Sequence, residues 1–327
     1  MDNRFRAAMI MMVLGIGGAF VFAEDKKEPP AVTAGKALNL SGFAQLLYTG
    51  QDSGLDGFTL RRARFSFSGE LLKNVRLKLQ FDMVKSPALY DAQIDFTLHE
   101  KASFRIGQFK VPFSQESLTS GSELDTINRS QPVIKLAPGQ DIGSSGRDIG
   151  AVAYGKISLI EYTVGVFNGA GMNRADTNEQ KDLAGRIIIR PFQFLAIGAS
   201  VYDGSYSATT GAAPLVRDRV GLEMAFLYQD LSLKGEWIQA EDDQTMKRGW
   251  YLQAGYHFLP KTLQGILKVD SFDPDTAAAQ DRANVWTAGL NWFLSGRTKL
   301  QVNLEIYKNE AGKTTNTALL AQFQAAF

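Results

Sequence analysis

Arginine and lysine side chains occur in three short stretches of this sequence, and in the first two they recur at alternate positions. Arg62 and Arg64 lie in the first, Arg76 and Lys78 in the second, and Arg105 in the third. Because successive side chains of a β-strand point to opposite faces, each stretch would present its basic groups on one face if it is a strand. A guanidinium is a planar fork that matches the oxygens of phosphate and carboxylate groups. The residue types and their spacing therefore predict contacts with anions.

The sequence offers little for catalysis or for holding a metal ion. It contains two histidines, His99 and His257, and no cysteine, whereas a zinc site needs three or four ligands. A serine hydrolase would need a histidine with an orienting partner, which the sequence does not suggest. A net charge of +1 gives no reason to expect nucleic-acid binding. We predict no catalytic residue, no metal site, no cofactor and no enzymatic activity.

The N-terminus predicts export through a cleaved signal peptide. Arg4 and Arg6 precede an apolar stretch over 7–22, and Ala23 fits the position before a cleavage site. An anchoring helix is the alternative, but this stretch is short for a membrane span and charged residues follow it directly. The predicted organisation is a signal peptide over 1–23, a linker over 24–38 and one domain over 39–327.

From Asn39 onward, apolar and polar residues alternate in segments of about ten residues. In 75–83, valine, leucine, phenylalanine and methionine fall on one face, while arginine, lysine, glutamine and aspartate fall on the other. This period of two predicts β-strands. The sixteen predicted strands cover 39–49, 57–70, 74–84, 89–99, 102–110, 148–155, 159–167, 182–191, 194–204, 217–228, 230–240, 248–258, 262–272, 283–293, 298–309 and 315–326.

The predicted connections between the strands alternate between long and short. A transmembrane barrel has short periplasmic turns and longer outer loops, whereas a soluble sandwich, the alternative, has no reason to sort its loops in this way. The long predicted connections follow odd-numbered strands, at 50–56, 111–147, 168–181, 205–216, 241–247, 273–282 and 310–314, and the short ones follow even-numbered strands. We predict an all-β protein, a 16-stranded antiparallel transmembrane β-barrel with both termini at the periplasm.

One connection, over 111–147, is exceptionally long. A loop of this length calls for a functional or folding reason. In sixteen-stranded porins the third outer loop, at the same place between strands five and six, folds inward and narrows the pore. Because a barrel of sixteen strands leaves a water-filled lumen, we predict that this third loop folds into the lumen of a passive channel.

The wall of the predicted lumen carries more basic than acidic residues. Rings of arginine and lysine attract anions in a narrow pore, so the excess favours anions. The basic side chains on this face are Arg62, Arg64, Arg76, Lys78, Arg105, Arg186, Arg190, Arg219, Lys234, Lys268 and Lys299, and the acidic ones are Asp82, Asp91, Asp95, Glu223, Glu236, Asp270 and Glu305.

Four motifs, in this order and spacing, resemble the phosphate-selective porin family of phosphate- and pyrophosphate-specific channels. They are 58–64 (FTLRRAR), 104–114 (FRIGQFKVPFS), 146–150 (GRDIG) and 165–171 (GVFNGAG). The resemblance runs from about Gly42 to Phe327. It implies a homotrimeric porin of the bacterial outer membrane, in contact with membrane lipid, that passes small anionic solutes.

The resemblance also implies which residues bind anions at a constriction between the wall and the third loop. Arg61, Arg62 and Arg64 match the family's arginines of strand two, Lys110 matches a lysine of strand five, and Arg129 matches a basic position of the third loop. With the residues from the wall, the predicted anion-binding set is Arg61, Arg62, Arg64, Arg76, Lys78, Arg105, Lys110 and Arg129. The final segment, which ends at Phe327, resembles the strand that the barrel-assembly machinery recognises.

Other functions remain open at this point. The sequence carries fewer lumen arginines and lysines than the phosphate-specific channels, so a general, non-selective pore is one alternative. A sugar-preferring pore is another, since Phe109, Phe167, Tyr251 and Tyr307 could line the lumen. A third belongs to a different class, an envelope barrel whose role is binding or catalysis.

Overall fold

We analysed a computed structural model of the chain, which describes residues 38–52, 54–207 and 213–327. The predicted signal peptide and all but the last residue of the predicted linker lie outside the described residues. Within the described part, no helix is long and apolar enough to cross a membrane.

The strands form one closed antiparallel sheet, in which they pair in chain order and the last pairs with the first; two consecutive strands lie end to end and count as one of the sixteen. The predicted 16-stranded barrel is confirmed. The strands are β1 (Asn39–Gln51), β2 (Gly57–Leu72), β3 (Val75–Asp82), β4 (Leu89–His99), β5 (Ala102–Lys110), β6 (Arg147–Ile157), β7 (Ile160–Phe167), β8 (Asp182–Phe192), β9 (Leu195–Asp203), β10 (Ser205–Tyr206), β11 (Leu215–Tyr228), β12 (Leu231–Asp242), β13 (Thr245–Leu259), β14 (Leu263–Asp273), β15 (Ala283–Ser295), β16 (Thr298–Asn309) and β17 (Thr314–Ala326).

The short strand β10 was not predicted and continues β9 after an interruption at Gly204. The backbone N–H of Gly204 donates to the Asp218 carboxylate, and that of Ser205 donates to Asp182. Because these N–H groups bond to side chains, the ladder between β9 and β11 breaks there and resumes where Ser205 pairs with Val216.

The barrel exposes its apolar side chains and buries its polar ones. On β13, Leu252 is 56% exposed, whereas the next residue, Gln253, is only 7% exposed. A soluble protein would bury the leucine, but the outer face of a transmembrane barrel meets lipid and its inner face is polar. The alternation seen in the sequence therefore separates an outer apolar face from an inner polar face.

One predicted long connection is wrong. The seven-residue loop expected over 241–247 is a two-residue turn, because β12 and β13 stay paired as far as Asp242 and Thr245. Asp243 adopts a φ of 54° in this turn. Polar pairs extend the two strands beyond the apolar alternation, since the Asp242 carboxylate accepts hydrogen bonds from both Arg219 and Lys247.

The connection between β5 and β6, which we call the third loop (residues 111–146), contains two short helices that were not predicted. They are α1 (Gln115–Leu118) and α2 (Gln131–Leu136). The Ser114 hydroxyl caps α1 by accepting from the Ser117 N–H. Val133 and Leu136 of α2 are fully buried and belong to an apolar core with inner-face side chains of β5, β6, β7, β8, β9, β12 and β13. This core fixes the loop on one sector of the barrel wall.

Candidate pore constriction

The first half of the third loop is bound to the wall by amide and ammonium groups. Gln45 of β1 donates to the carbonyl of Gly121 at 3.1 Å, and Asn291 of β15 donates to that of Asp125 at 2.8 Å. Further along the barrel, Lys299 donates to the carbonyl of Leu124 at 2.7 Å and Gln324 donates to that of Ser122 at 3.0 Å. These side chains belong to the inner polar face, so the loop backbone completes the hydrogen bonds of buried polar groups.

The second half of the loop is bound by ion pairs. The Asp141 carboxylate contacts Arg217 at 2.6 Å and Arg219 at 3.0 Å, and both guanidinium groups are almost completely buried. Arg219 also donates from Nε to the carbonyl of Leu136, at the end of α2, at 2.9 Å. Bidentate arginine–carboxylate contacts of this kind are directional as well as strong.

Between the third loop and strands β2–β6, two polar cavities remain. The first, which we call the Arg62 cavity, has a volume of about 350 Å³. The second, which we call the Arg76 cavity, has a volume of about 460 Å³. They meet at Arg64, Lys110 and Arg147, which line both. The Arg62 cavity lies toward the long connections, and the Arg76 cavity lies toward the short turns.

A β-bulge in β2 places two consecutive arginines at the Arg62 cavity. Gln45 of β1 is paired with Arg62, but the next residue, Leu46, is paired with Leu60, so Arg61 is the extra residue. A bulge locally changes the direction of side chains. Arg61 donates to Asn128 of the third loop at 2.8 Å, and Arg62 donates to Gln45 at 2.7 Å. Both arginines therefore lie on the inner face, and the acceptors that hold them are neutral.

Arg64 and Arg147 lie at the junction of the cavities and are paired with carboxylates. Arg64 contacts Asp82 at 2.9 Å, and Arg147 contacts Asp91 at 2.6 Å. Their guanidinium carbons lie 4.5 and 4.7 Å from the ring centre of the buried Tyr90, within the range of cation–π attraction. Arg147 was missed as a site residue because β6 was predicted to begin one residue later, and only its place beside the loop in the GRDIG motif could have indicated it.

Three of the predicted anion-binding residues line the Arg76 cavity alone. Lys78 is paired with Asp91 at 2.8 Å and Arg105 with Asp95 at 2.6 Å, across neighbouring strands. Arg76 lines the same cavity. The charges of Lys78 and Arg105 are thus partly neutralised by the wall itself.

Lys110 and Arg129 face α1. Lys110 Nζ donates to the carbonyls of Ser117, Leu118 and Thr119. Arg129 Nε donates to the carbonyl of Glu116, and its Nη2 donates to that of Thr119. Burial lowers the pKa of Arg129 to about 10, with Glu116 opposing the shift and neighbouring arginines adding to it. The guanidinium is therefore still charged at neutral pH. All eight predicted anion-binding residues line one or both cavities.

The other predicted basic residues of the lumen lie outside these cavities. Some are paired with acids, as Arg186 is with Glu223, Arg190 with Glu161 and Lys234 with Asp125. Lys268 and Lys299 donate to carbonyls of the third loop.

Three of the four aromatic residues considered for sugar binding are buried in the apolar core. Phe109, Phe167 and Tyr251 are each at most 2% exposed, and the fourth, Tyr307, donates its hydroxyl hydrogen to Glu305. Side chains buried in this way offer no row of ring faces to a passing sugar.

The sequence matches the family described as phosphate-selective porin O and P over residues 39–208 and 200–326, which together span almost the whole barrel. The chain belongs to this family. The resemblance noted from the four motifs is thereby confirmed. No curated protein sequence matched the chain.

Solved outer-membrane proteins share the fold of this porin at low sequence identity. In vitro folded OmpT of Vibrio cholerae has a TM-score of 0.67 and 9% identity, over 89% of this chain and 98% of that one. OmpF of Salmonella typhi, in complex with daunomycin, has a TM-score of 0.68 and 10% identity, over 90% and 98%. The outer-membrane channel DcaP of Acinetobacter baumannii has a TM-score of 0.65 and 12% identity, over 91% and 100%.

Family membership and the barrel fold together identify this porin as an outer-membrane channel for passive diffusion. They point to a channel rather than an enzyme, as the sequence predicted.

Proposed function

We propose that this porin prefers small anions, with phosphate among them, and that the third loop lies in the lumen and narrows it. The observation that carries the preference is the composition of the Arg62 cavity, which is lined by seven basic residues and one acid, Asp82. Because rings of arginine and lysine attract anions where the pore is narrow, a lining with this charge raises the local concentration of anions over cations.

The contacts of the third loop support its place in the lumen. Its backbone accepts hydrogen bonds from inner-face side chains of β1 and β14–β17, and Asp141 is paired with inner-face arginines of β11. A loop that turned outward could not reach strands on opposite sides of the barrel. The remaining passage then runs through the Arg62 and Arg76 cavities.

The alternatives predict different linings. A non-selective pore would carry basic and acidic groups in similar numbers at its narrowest point, unlike the Arg62 cavity. A sugar-preferring pore would expose a row of aromatic rings, but three of the four candidates are buried in the core. The described residues contain no cluster of histidine, aspartate and glutamate that could hold a metal ion.

The assembly and export of this porin are part of the same proposal. We infer a homotrimer, since a trimer form is known for OmpT of Vibrio cholerae, which shares the fold at a TM-score of 0.63. We also infer that the signal peptide over 1–23 is removed and that the terminal strand, which ends at Phe327, engages the barrel-assembly machinery. Cross-linking of the porin in membranes tests the homotrimer, and N-terminal sequencing of the mature protein tests the removal of the signal peptide.

The preference for anions is tested by measuring reversal potentials in planar lipid bilayers. With a tenfold gradient of potassium chloride, we expect a potential of the sign that chloride permeation produces, and we expect added phosphate to reduce the chloride current. A potential of the opposite sign would overturn the anion preference. If the reversal potential has the sign for chloride permeation but phosphate does not reduce the current, the porin is an anion channel that does not take phosphate.

A further inference from the structure

The ammonium group of Lys110 has no hydrogen left for a solute. Its Nζ lies 2.7 Å from the carbonyl oxygen of Ser117, 3.0 Å from that of Leu118 and 2.8 Å from that of Thr119. A lysine ammonium has three N–H donors and no acceptor. All three donors are therefore directed to the backbone of the third loop.

Arg129 binds the same turn of the loop. Its Nε lies 3.0 Å from the carbonyl oxygen of Glu116, and its Nη2 lies 2.6 Å from that of Thr119. The Glu116 carboxylate accepts from the N–H and the hydroxyl of Ser130, at 2.9 and 2.8 Å. The residue next to Arg129 thus anchors the same turn.

The carbonyls that these two cations bind are those that α1 leaves without helical partners. In α1 the N–H groups of Leu118 and Thr119 bond to the carbonyls of Ser114 and Gln115. The last carbonyls of a helix have no partner within it and carry partial negative charge. Leu118 lines the Arg76 cavity, where such carbonyls would repel an anion unless cations covered them.

Arg61 and Arg62 are bound differently. Arg61 donates to the side-chain oxygens of Asn128 and Gln322, and Arg62 donates to that of Gln45. A guanidinium has five N–H donors, so both arginines keep donors beyond these contacts while lining the Arg62 cavity.

We propose that Lys110 and Arg129 are positioning residues, which form a carbonyl clamp on residues 116–119, and that Arg61 and Arg62 are the groups that contact the anion. The clamp holds the third loop at the junction of the two cavities and covers the carbonyls that would oppose an anion. The division of roles rests on the proposed preference for anions, whereas the clamp itself does not.

The clamp is tested by hydrogen–deuterium exchange on the folded, full-length porin in detergent micelles. In Lys110→Met, we expect the amides of 115–119 to exchange at least about tenfold faster than in the wild type, because hydrogen bonds to a charged group are lost from a local structure. The matched control is Lys78→Met, which removes a charge from the same wall without touching the loop and leaves this exchange unchanged. Should Lys110→Met fail to insert, Arg129→Gln tests the other half of the clamp by the same measurement.

Phosphate block of chloride current, measured on the same variants, separates the clamp from a direct anion ligand. We expect Arg62→Gln to weaken the block and to leave exchange over 115–119 at the wild-type rate. In Lys110→Met, fluctuation of the open-channel current should accompany any loss of block. The clamp is overturned if Lys110→Met removes the block while exchange and current noise stay as in the wild type. If the wild type shows no phosphate block, phosphate is removed from the proposed solutes, and the exchange data still decide whether the clamp exists.

Discussion

The two cavities of this porin contain similar numbers of basic residues but differ in what surrounds them. The Arg62 cavity has seven basic residues and one acid, whereas the Arg76 cavity has six basic residues and three acids, Asp91, Asp95 and Glu123. Three of the basic residues are common to both. The difference in charge between the cavities therefore comes from their acids and from the basic residues that line only one of them.

The physical difference lies in the partners of the cations. In the Arg76 cavity, Lys78 and Arg105 are paired with carboxylates on the neighbouring strand. In the Arg62 cavity, Arg61 and Arg62 are held by the side-chain amides of asparagine and glutamine. An amide fixes the position of a guanidinium without cancelling its charge, whereas a carboxylate does both. A count of lumen charges misses this distinction.

The largest expected effect on ion selectivity comes from removing the arginine charges that are bound by side-chain amides. In the double variant Arg61→Gln, Arg62→Gln, we expect the anion-to-cation permeability ratio to fall by about tenfold or more, since one unit charge a few ångströms from an ion contributes about 1 kcal/mol even in water. Reversal potentials in planar bilayers measure this ratio. Arg190→Gln, which removes an arginine paired with Glu161 outside both cavities, is the control and should change the ratio little. An equal effect of the two changes would refute the contrast between the cavities.

Removing the acid of the Arg62 cavity should sharpen the contrast. We expect Asp82→Asn to raise the anion-to-cation permeability ratio by about threefold, because Arg64 loses its carboxylate. The Asp82 side chain is completely buried and also accepts from the N–H of Ala63. Breaking such a buried ion pair costs about 3 kcal/mol of stability, so the urea midpoint of unfolding should fall. An unchanged ratio would mean that the charge of Arg64 does not act on the passing ion.

Removing an acid from the Arg76 cavity should make its charge more like that of the Arg62 cavity. Glu123 is an exposed acid of the third loop that lines this cavity. We expect Glu123→Gln to raise the permeability ratio by about twofold, less than Asp82→Asn, since Asp91 and Asp95 remain and solvent screens an exposed charge. The measurement is the reversal potential at low and at high salt, and the gain should vanish at about 1 M salt, where the Debye length is about 3 Å. A gain that persists in high salt would contradict this electrostatic account.

The smallest expected effect concerns a cation that is already paired. In Lys78→Met, we expect the phosphate concentration that halves the chloride current to change by less than about twofold, because partly exposed ion pairs contribute little and Asp91 keeps its contact with Arg147. Titration of the current with phosphate measures this concentration. If Lys78→Met weakens the phosphate block more than Arg62→Gln does, the Arg76 cavity contributes more to phosphate binding than the Arg62 cavity, which contradicts the proposed contrast.

Much of the fold followed from the sequence because membrane strands obey a strict local rule. Lipid outside and a polar lumen inside impose a period of two on every strand, and the predicted bounds of three strands, 89–99, 102–110 and 298–309, agree with the structure. The loop at 241–247 was wrong because hydrogen-bonded polar residues extend β12 and β13 without the apolar alternation. Helices α1 and α2 were missed since each is shorter than two turns and is stabilised by contacts with distant strands.

By itself, the sequence determined the barrel, its number of strands, the position of the long loop along the chain and which residues could face the lumen. Each of these depends on neighbours along the chain, through alternation and connection length. Only the tertiary structure decided what each cation is bound to. The bulge at Arg61, the carboxylates beside Lys78 and Arg105, and the carbonyls around Lys110 depend on the register of strands and on the path of the third loop. Such partners are far apart in the chain and leave no periodic signal. Arginines that look alike in the sequence therefore differ in the structure: some keep free N–H donors, some are neutralised by a carboxylate and Arg129 binds backbone carbonyls.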